Sequence, residues 1–317
     1  MLTVHPARRI ILGGMSFGKP WDHNAITVEQ VKEAHDAIDA ALEVGINTID
    51  LADIYTNTKA EQVFGRVLID RPDLRDRLLI HSKTGIELHV AHNGSNRYNL
   101  TCDYIIEKTE EILKRVGVKY LDMLLLHRPD PLAFPTDTAR AIDLLYQRGW
   151  VKSFGVSNMS APRLNLINSF TAQTIRANQL QFSLGHSGII DDIVEVNTER
   201  QSLTGNHGLA EYCMLNDISI QAWGSMDKGR FCSPITDSTP ESDKPIITKV
   251  YTLAEKYSVE PVAIVLAWLM DLPMRVEPVI GTISPNRIKA ASKALSFMLS
   301  RNDWYDLWII ARGRRLL

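Results

Sequence analysis

Eight short apolar runs, each leading into a helix-like segment, constrain this chain more than any other feature. The runs are Arg9–Leu12, Ile46–Asp50, Leu78–Ser82, Leu121–Leu126, Val151–Val156, Asn178–Phe182, Ile218–Trp223 and Val276–Ile280. Several are apolar almost throughout, as strands buried on both faces are. Strand-like runs alternating with helical ones are the pattern of parallel βα units. In one intervening segment Ile105, Ile106, Ile112, Leu113 and Val116 recur at helical spacing, and Gly117 follows as a stop. A second runs from Val28 to Val44 and ends at Gly45. A third opens on Pro261, whose fixed φ suits a first helical turn, and carries Val262, Val265, Leu266 and Leu269.

Eight such units in 317 residues predict an α/β protein of the closed (β/α)8 TIM barrel type, a single domain over residues 1–317. An open doubly wound sheet is the competitor. It calls for a Gly-x-Gly-x-x-Gly turn between a strand and a helix, and the chain has none. The segment IILGGMSFG has glycines but no helix at the right distance, so it reads as a barrel strand with its loop. Gly185–Gly208 and Lys228–Pro245 are the least regular stretches and are predicted to be loops on the active face. The tail, Arg301–Leu317, reads as a C-terminal helical extension.

The formal net charge of −2 gives no electrostatic reason to expect nucleic acid or an anionic membrane as partner. No run of about 18 apolar residues is present, so no transmembrane helix is predicted. The stretch MLTVHPARRIILGG carries two arginines before a short apolar patch, less than a secretory signal needs. Cys102, Cys213 and Cys232 are widely spaced with no Cys-x-x-Cys pair, which argues against a disulfide framework or zinc and suits a reducing cytoplasm. No feature of the sequence sets the oligomeric state.

Chemistry concentrates where apolar runs give way to ionisable residues. Asp50 and Tyr55 lie in INTIDLADIYTN, Lys83 in LLIHSKTG and His127 in YLDMLLLHRPD. They fall at or just past the ends of the second, third and fourth strands, and catalytic residues of barrels gather at those carboxyl ends. Alone, such an Asp caps a turn, such a Tyr packs half-buried and such a His is a satisfied polar group. Together on adjacent strands they make a proton donor. A phenol has a pKa of about 10, a neighbouring ammonium is expected to lower it, a carboxylate can hold that ammonium, and an imidazole can orient a substrate oxygen. Two other classes use a barrel lysine or carboxylate: a Schiff-base aldolase at Lys83, and a metal-dependent hydrolase. No ligand set with metal spacing supports the latter.

The order of the blocks points further. Asp50, Ala52 and Tyr55 form D-x-A-x-x-Y, with Glu61 and Gly65 in the following helix. Then come Ser82-Lys83, Asp122 and His127 in YLDMLLLHRPD, GVSN at Gly155–Asn158, Asn178 and Gln179 in NQLQFSL, Trp223 in AWGSM, and PVIGTISPNRI ending at Arg287. In this order and spacing the chain resembles the aldo-keto reductases from the first strand to past the eighth, and within them a bacterial branch of general oxidoreductases. The resemblance implies reduction of an aldehyde or ketone by hydride from a nicotinamide cofactor. Tyr55 would be proton donor, Lys83 and Asp50 its support, and His127 the hydrogen-bonding partner of the carbonyl oxygen. It also implies that Ser157, Asn158 and Gln179 hold the carboxamide, that Trp223 stacks on the nicotinamide, and that Gly14 and Met15 pass close to the cofactor.

Barrels often bind phosphate in the loops after strands seven and eight. Ser225, Lys228 and Arg230 follow the seventh here, and Gly281, Thr282 and Arg287 the eighth. Arg287, with its planar guanidinium, is the expected reader of an adenosine 2′-phosphate, which favours NADP(H). Gly281 stands where many relatives of this resemblance have a lysine, and Ala290 and Ala291 where they have an acid and an amide, which leaves room for NAD(H). Trp21, Ile54 and His186 are expected to line a pocket for a small carbonyl compound with an aromatic or aliphatic body. A different reading of the same resemblance is an NADP-binding sensor, or a regulatory subunit of a membrane protein, with little turnover.

Overall fold

The computed structural model describes residues 8–90, 92–199 and 205–316. The apolar runs become eight parallel strands: β1 (Ile11–Gly13), β2 (Thr48–Asp50), β3 (Leu79–Thr84), β4 (Met123–Leu126), β5 (Phe154–Ser157), β6 (Ile175–Gln181), β7 (Ser219–Trp223) and β8 (Val276–Ile280). Each pairs with its neighbours in sequence, and the ring closes where Leu12 pairs with Ile49 on one side and Ile280 on the other. The open sheet is thereby ruled out. β4 and β5 start two and three residues later than their apolar runs, because Leu121 and Val151 meet only as an isolated parallel bridge below them.

The helices form where the sequence places them. Val28–Glu43 starts at a capping box between Thr27 and Gln30, and Gly45 beyond its end takes a positive φ of 79°. Cys102–Val116 stops at Gly117, whose φ of 75° suits glycine. Gly65, in the helix Lys59–Asp70, lets that helix lie against Cys102–Val116: a Cβ there would stand 2.3 Å from the carbonyl oxygen of Arg115. Pro261–Met270 is buried from Ala263 onward because it is covered on its outer side as well. The extension forms the helix Arg301–Arg312, and its Trp304 ring stacks on Trp268 with centroids 5.4 Å apart.

Two details were not foreseen. A small antiparallel ladder joins Ile86–Glu87 to Arg97–Tyr98 just past β3. The stretch Gly185–Gly208, expected to be irregular, contains the short helix Gly188–Val194, and its residues 200–204 lie outside the described ones. That helix is tied to the C-terminal one by Arg312, 2.9 Å from Asp191 and 2.6 Å from Glu195. Lys228–Pro245 is largely loop, with a helix beginning at Lys244. Among the described residues no helix is long and apolar enough to cross a membrane.

Candidate active site

Asp50 is the last residue of β2, Lys83 lies in β3, and His127 follows β4. Because these strands are neighbours, the side chains meet. The Lys83 ammonium is fully buried and spends its three protons on Asp50 Oδ2 at 2.7 Å, the Leu51 carbonyl at 2.8 Å and Tyr55 Oη at 3.0 Å. An unpaired ammonium at this depth would cost several kcal/mol. Burial pulls the Lys83 pKa down, Asp50 and Tyr55 push it up, and the net shift is upward, so it stays charged.

Tyr55 corrects the sequence reading. Burial pushes its phenol above 10, and the Lys83 charge offsets only part of that. Lys83 acts with the expected sign, but desolvation is the larger effect. The phenol therefore carries its proton at neutral pH. His127 lies edge-on to Tyr55, with ring centroids 6.1 Å apart and planes at 80°. Burial first, then the charges of Lys83 and Arg128, hold its imidazole well below 6.5, so it is neutral. Its Nδ1 is buried and without a hydrogen-bond partner among the described residues.

Tyr55 opens onto an unusual turn. Thr56, Asn57 and Thr58 all have positive φ, at 47°, 55° and 72°, a region that side chains other than glycine rarely enter. Thr56 Oγ1 donates to the Phe17 carbonyl at 2.9 Å, Asn57 Nδ2 donates to the Asp22 carbonyl at 3.3 Å, and Lys59 pairs with the Asp22 carboxylate. The loop that carries Trp21 is thus fastened to the residues after Tyr55. Sequence reasoning also missed Asp53, in the same turn as Asp50 and Tyr55. Burial raises its carboxyl to about 7, and its Oδ1 has no partner among the described residues.

Behind this group, Glu61 is fully buried and accepts from Ser82 Oγ at 2.6 Å and Arg115 Nε at 2.7 Å. The other residues expected at a cofactor also converge. Ser157 ends β5 opposite Gln179 of β6. Ser157 Oγ donates to the Gln179 carbonyl at 2.9 Å and accepts from Asn158 Nδ2 at 2.6 Å. Trp223 Nε1 donates to Asn158 Oδ1 at 3.2 Å. Gln179 Nε2 donates to Asp50 Oδ1 and to Gln221 Oε1, each at 3.1 Å. Gln221, which the strand reading left inside an apolar run, keeps a buried Nε2 with no partner among the described residues.

At the far side of the mouth, a Cβ on Gly14 would come within 2.6 Å of Leu51 Cδ2, so the backbone there runs close to the β2 end. Met15 beside it is exposed. Ser16 Oγ donates to the Gly281 carbonyl at 3.0 Å, and Ser225 Oγ to the Val279 carbonyl at 2.9 Å. Thr282 Oγ1 accepts from the Ser284 amide at 3.2 Å, leading into the helix Pro285–Ser292. Arg287 stands exposed in its first turn without an ion pair among the described residues, and Lys228 is likewise exposed. Arg230 differs: its guanidinium grips Asp243 through two bonds, at 2.5 and 2.6 Å. Ile54 is half-buried in the turn before Tyr55, Trp21 is half-exposed past β1, and His186 is exposed past β6 with its backbone paired to Ser183.

A model of the Aldo/keto reductase family matches residues 9–311. The chain belongs to the aldo/keto reductase family. By family, it is an oxidoreductase. It is 30% identical over 311 residues to a 6-dehydroglucose reductase of Agrobacterium fabrum, with 97% of this chain and 95% of that protein covered. It is also 30% identical over 278 residues to the oxidoreductase YdhF of Escherichia coli, covering 87% and 86%. A glycerol dehydrogenase from Gluconobacter oxydans superposes with a TM-score of 0.81 at 20% identity, over 100% of this chain and 98% of that one. An aldo/keto reductase from Klebsiella pneumoniae solved with NADP and acetate gives 0.72 at 21%, over 98% and 94%. At such identities the two solved structures speak for the barrel of this family member. Asp50, Tyr55, Lys83 and His127 stand at the mouth of that barrel.

Proposed function

We propose that this family member reduces an aldehyde or ketone to an alcohol with NADPH, and that Tyr55 gives the proton. The observation that carries the reading is the Tyr55 Oη to Lys83 Nζ bond of 3.0 Å, with Lys83 held by Asp50 at 2.7 Å. A bound nicotinamide would supply hydride to the carbonyl carbon. Tyr55, protonated at neutral pH, gives its proton to the oxygen on which negative charge develops. Lys83 stays charged and stabilises the phenolate left behind. Neutral His127 donates its ring N–H to the same oxygen. A positioned general acid contributes on the order of 10²–10⁴-fold, and donors fixed around a developing oxyanion add to that. A protonated phenol favours the direction of reduction. Schiff-base chemistry suits Lys83 poorly, because its amine is charged, buried and fully bonded.

The residues fit a dinucleotide. His127 Nδ1 and Gln221 Nε2 are buried polar atoms without partners among the described residues, and Asn158 and Gln179 offer amides beside them. Ser157, Asn158 and Gln179 would hold the carboxamide, Trp223 would lie against the ring, and Gly14, Met15, Ser225, Gly281 and Thr282 would border the phosphates. Helix N-termini favour phosphate, and Arg287 stands exposed in the first turn of the helix Pro285–Ser292, with Lys228 exposed in the loop after β7. Arg287 would read the 2′-phosphate, in keeping with the NADP of the Klebsiella relative. NAD(H) would bind more weakly. Arg230 would serve indirectly, by fixing its loop through Asp243. Trp21, Ile54 and His186 would meet the substrate. Three free cysteines support a reducing compartment, hence the cytoplasm.

The test follows absorbance at 340 nm with NADPH or NADH and a panel of aldehydes, ketones and quinones, with Tyr55→Phe alongside. NADPH oxidation that Tyr55→Phe lacks is the expected result. Tight NADPH binding without turnover of any carbonyl would replace this reading with the sensor.

A further inference from the structure

Around the barrel mouth Lys59 has Asp22, Lys83 has Asp50 and Arg230 has Asp243, while Lys228 and Arg287, on the side proposed for the phosphates, stand exposed without an acidic partner among the described residues. Arg128 has none either. It follows His127 directly, is half-buried, and makes no hydrogen bond or ion pair among the described residues. The residues outside the description (1–7, 91, 200–204 and 317) include no Asp or Glu. Its guanidinium lies 5.9 Å from the centroid of the Trp223 ring, so it reaches across the mouth from the end of β4 towards the end of β7. It is also close enough to His127 for its charge to help keep that ring neutral.

The backbone on both sides of Arg128 is held: the His127 amide donates to the Thr84 carbonyl at 2.8 Å. Asp130 accepts from the amides of Leu100 at 3.0 Å and Leu132 at 2.8 Å, and Arg163 donates to the Asp130 carbonyl at 3.0 Å. The guanidinium itself meets no acceptor among the described residues. With Lys83 balanced by Asp50 and His127 neutral, Arg128 gives the β4 side of the mouth a positive charge without an acidic partner among the described residues, beside the groups proposed to meet the carbonyl oxygen. The loops after β7 and β8, proposed above for the cofactor phosphates, lie on the other arc of the ring from β4. Beside Trp223, which is proposed to lie against the nicotinamide, the Arg128 charge stands where the reacting end of the cofactor would meet the substrate, away from the phosphates.

We propose that Arg128 anchors the substrate through a carboxylate, so that the preferred substrates are short carbonyl acids rather than neutral carbonyl compounds. A guanidinium offers a planar pair of donors that matches a carboxylate, and the Trp223 face limits how that pair can turn. A neutral polyhydroxylated substrate could accept the same hydrogen bonds but would leave the charge unbalanced. The proposal rests on the carbonyl-reductase reading and deepens it by naming the substrate class.

The experiment compares 2-, 3- and 4-carboxybenzaldehyde with their methyl esters, using NADPH and the wild-type, Arg128→Met and Arg128→Lys proteins. The wild type should favour at least one acid over its ester. Arg128→Met should lower kcat/KM for that acid roughly 10–100-fold, chiefly through KM, since a bond to a charged partner contributes about 1.5–3 kcal/mol. The ester should change by less than about threefold, Arg128→Lys should fall between, and NADPH affinity should hold. Benzoate should quench tryptophan fluorescence of the wild type and not of Arg128→Met. A wild type that reduces the esters as well as the acids overturns the anchor and leaves the reductase standing. So does an Arg128→Met protein that loses NADPH, acid and ester alike. If none of the six compounds is reduced, the reductase reading falls for this panel and the quench decides the anchor: Arg128-dependent quenching upholds it, and no quenching of the wild type overturns it.

Discussion

Gln179 Nε2 donates to Asp50 Oδ1 at 3.1 Å, while Asp50 Oδ2 accepts from Lys83 at 2.7 Å. One carboxylate thus joins a residue proposed for the cofactor to the lysine bonded to Tyr55, the proposed proton donor. The link crosses the inside of the barrel, from β6 to β2.

Removing that link tests whether binding and proton transfer are coupled. Gln179→Leu should weaken NADPH binding and lower kcat, each by about tenfold, the value of roughly one hydrogen bond to a charged group. Fluorescence titration and single-turnover kinetics read the two separately. A loss in binding alone would show that Asp50 keeps Lys83 in place without Gln179.

Lys83→Met should lower kcat by more than about 100-fold. It should also destabilise the fold by about 3–5 kcal/mol, because Asp50 is left buried without a counter-charge. Adding Asp50→Asn should restore much of the stability and none of the activity. Urea unfolding of the single and double variants checks this. A double variant no more stable than the single one would place the cost in packing rather than in charge.

Arg287→Ala should weaken NADPH by about tenfold or more and NADH by little, since only NADPH carries the 2′-phosphate. Equal losses would assign Arg287 to the pyrophosphate or to the helix.

Asp53 sets a pH dependence with a definite sign. Its pKa rises from 3.8 to about 7 in the fold. Between those values the native protein holds a proton that the unfolded chain has released, so Asp53 erodes stability as pH rises towards 7. Asp53→Asn should match the wild type near pH 4 and exceed it above pH 7, by at most about 4 kcal/mol. His81, pushed down to about 4 by burial, and His127 act in the opposite sense. They stabilise above about pH 6.5 and lose that contribution as pH falls, in both proteins, so the difference isolates Asp53. A pH-independent gap would mean that Asp53 is ionised throughout.

The barrel was legible because burial on both faces of a strand writes a continuous apolar run, and each of the eight runs marks a strand. That Asp50, Tyr55, Lys83 and His127 would meet was legible because they sit where such runs end. What stayed hidden depends on contacts that spacing does not encode. Gln221 faces Gln179 only through the register of β6 and β7. Arg230 and Asp243 are 13 residues apart and meet through the path of a loop. The Tyr55 phenol rises rather than falls because depth of burial outweighs a neighbouring charge, and a sequence shows the charge but not the depth.

The turn Thr56–Thr58 makes Tyr55, the proposed proton donor, and the Trp21 loop mechanically one piece. Its left-handed residues tolerate their conformation because Thr56 and Asn57 are bonded to the Phe17 and Asp22 carbonyls. A change that moves the Trp21 loop therefore pulls on the backbone that aims the Tyr55 phenol. If Trp21 and Tyr55 hold the roles proposed for them, substrate range and proton delivery share one hinge, the three residues of this turn.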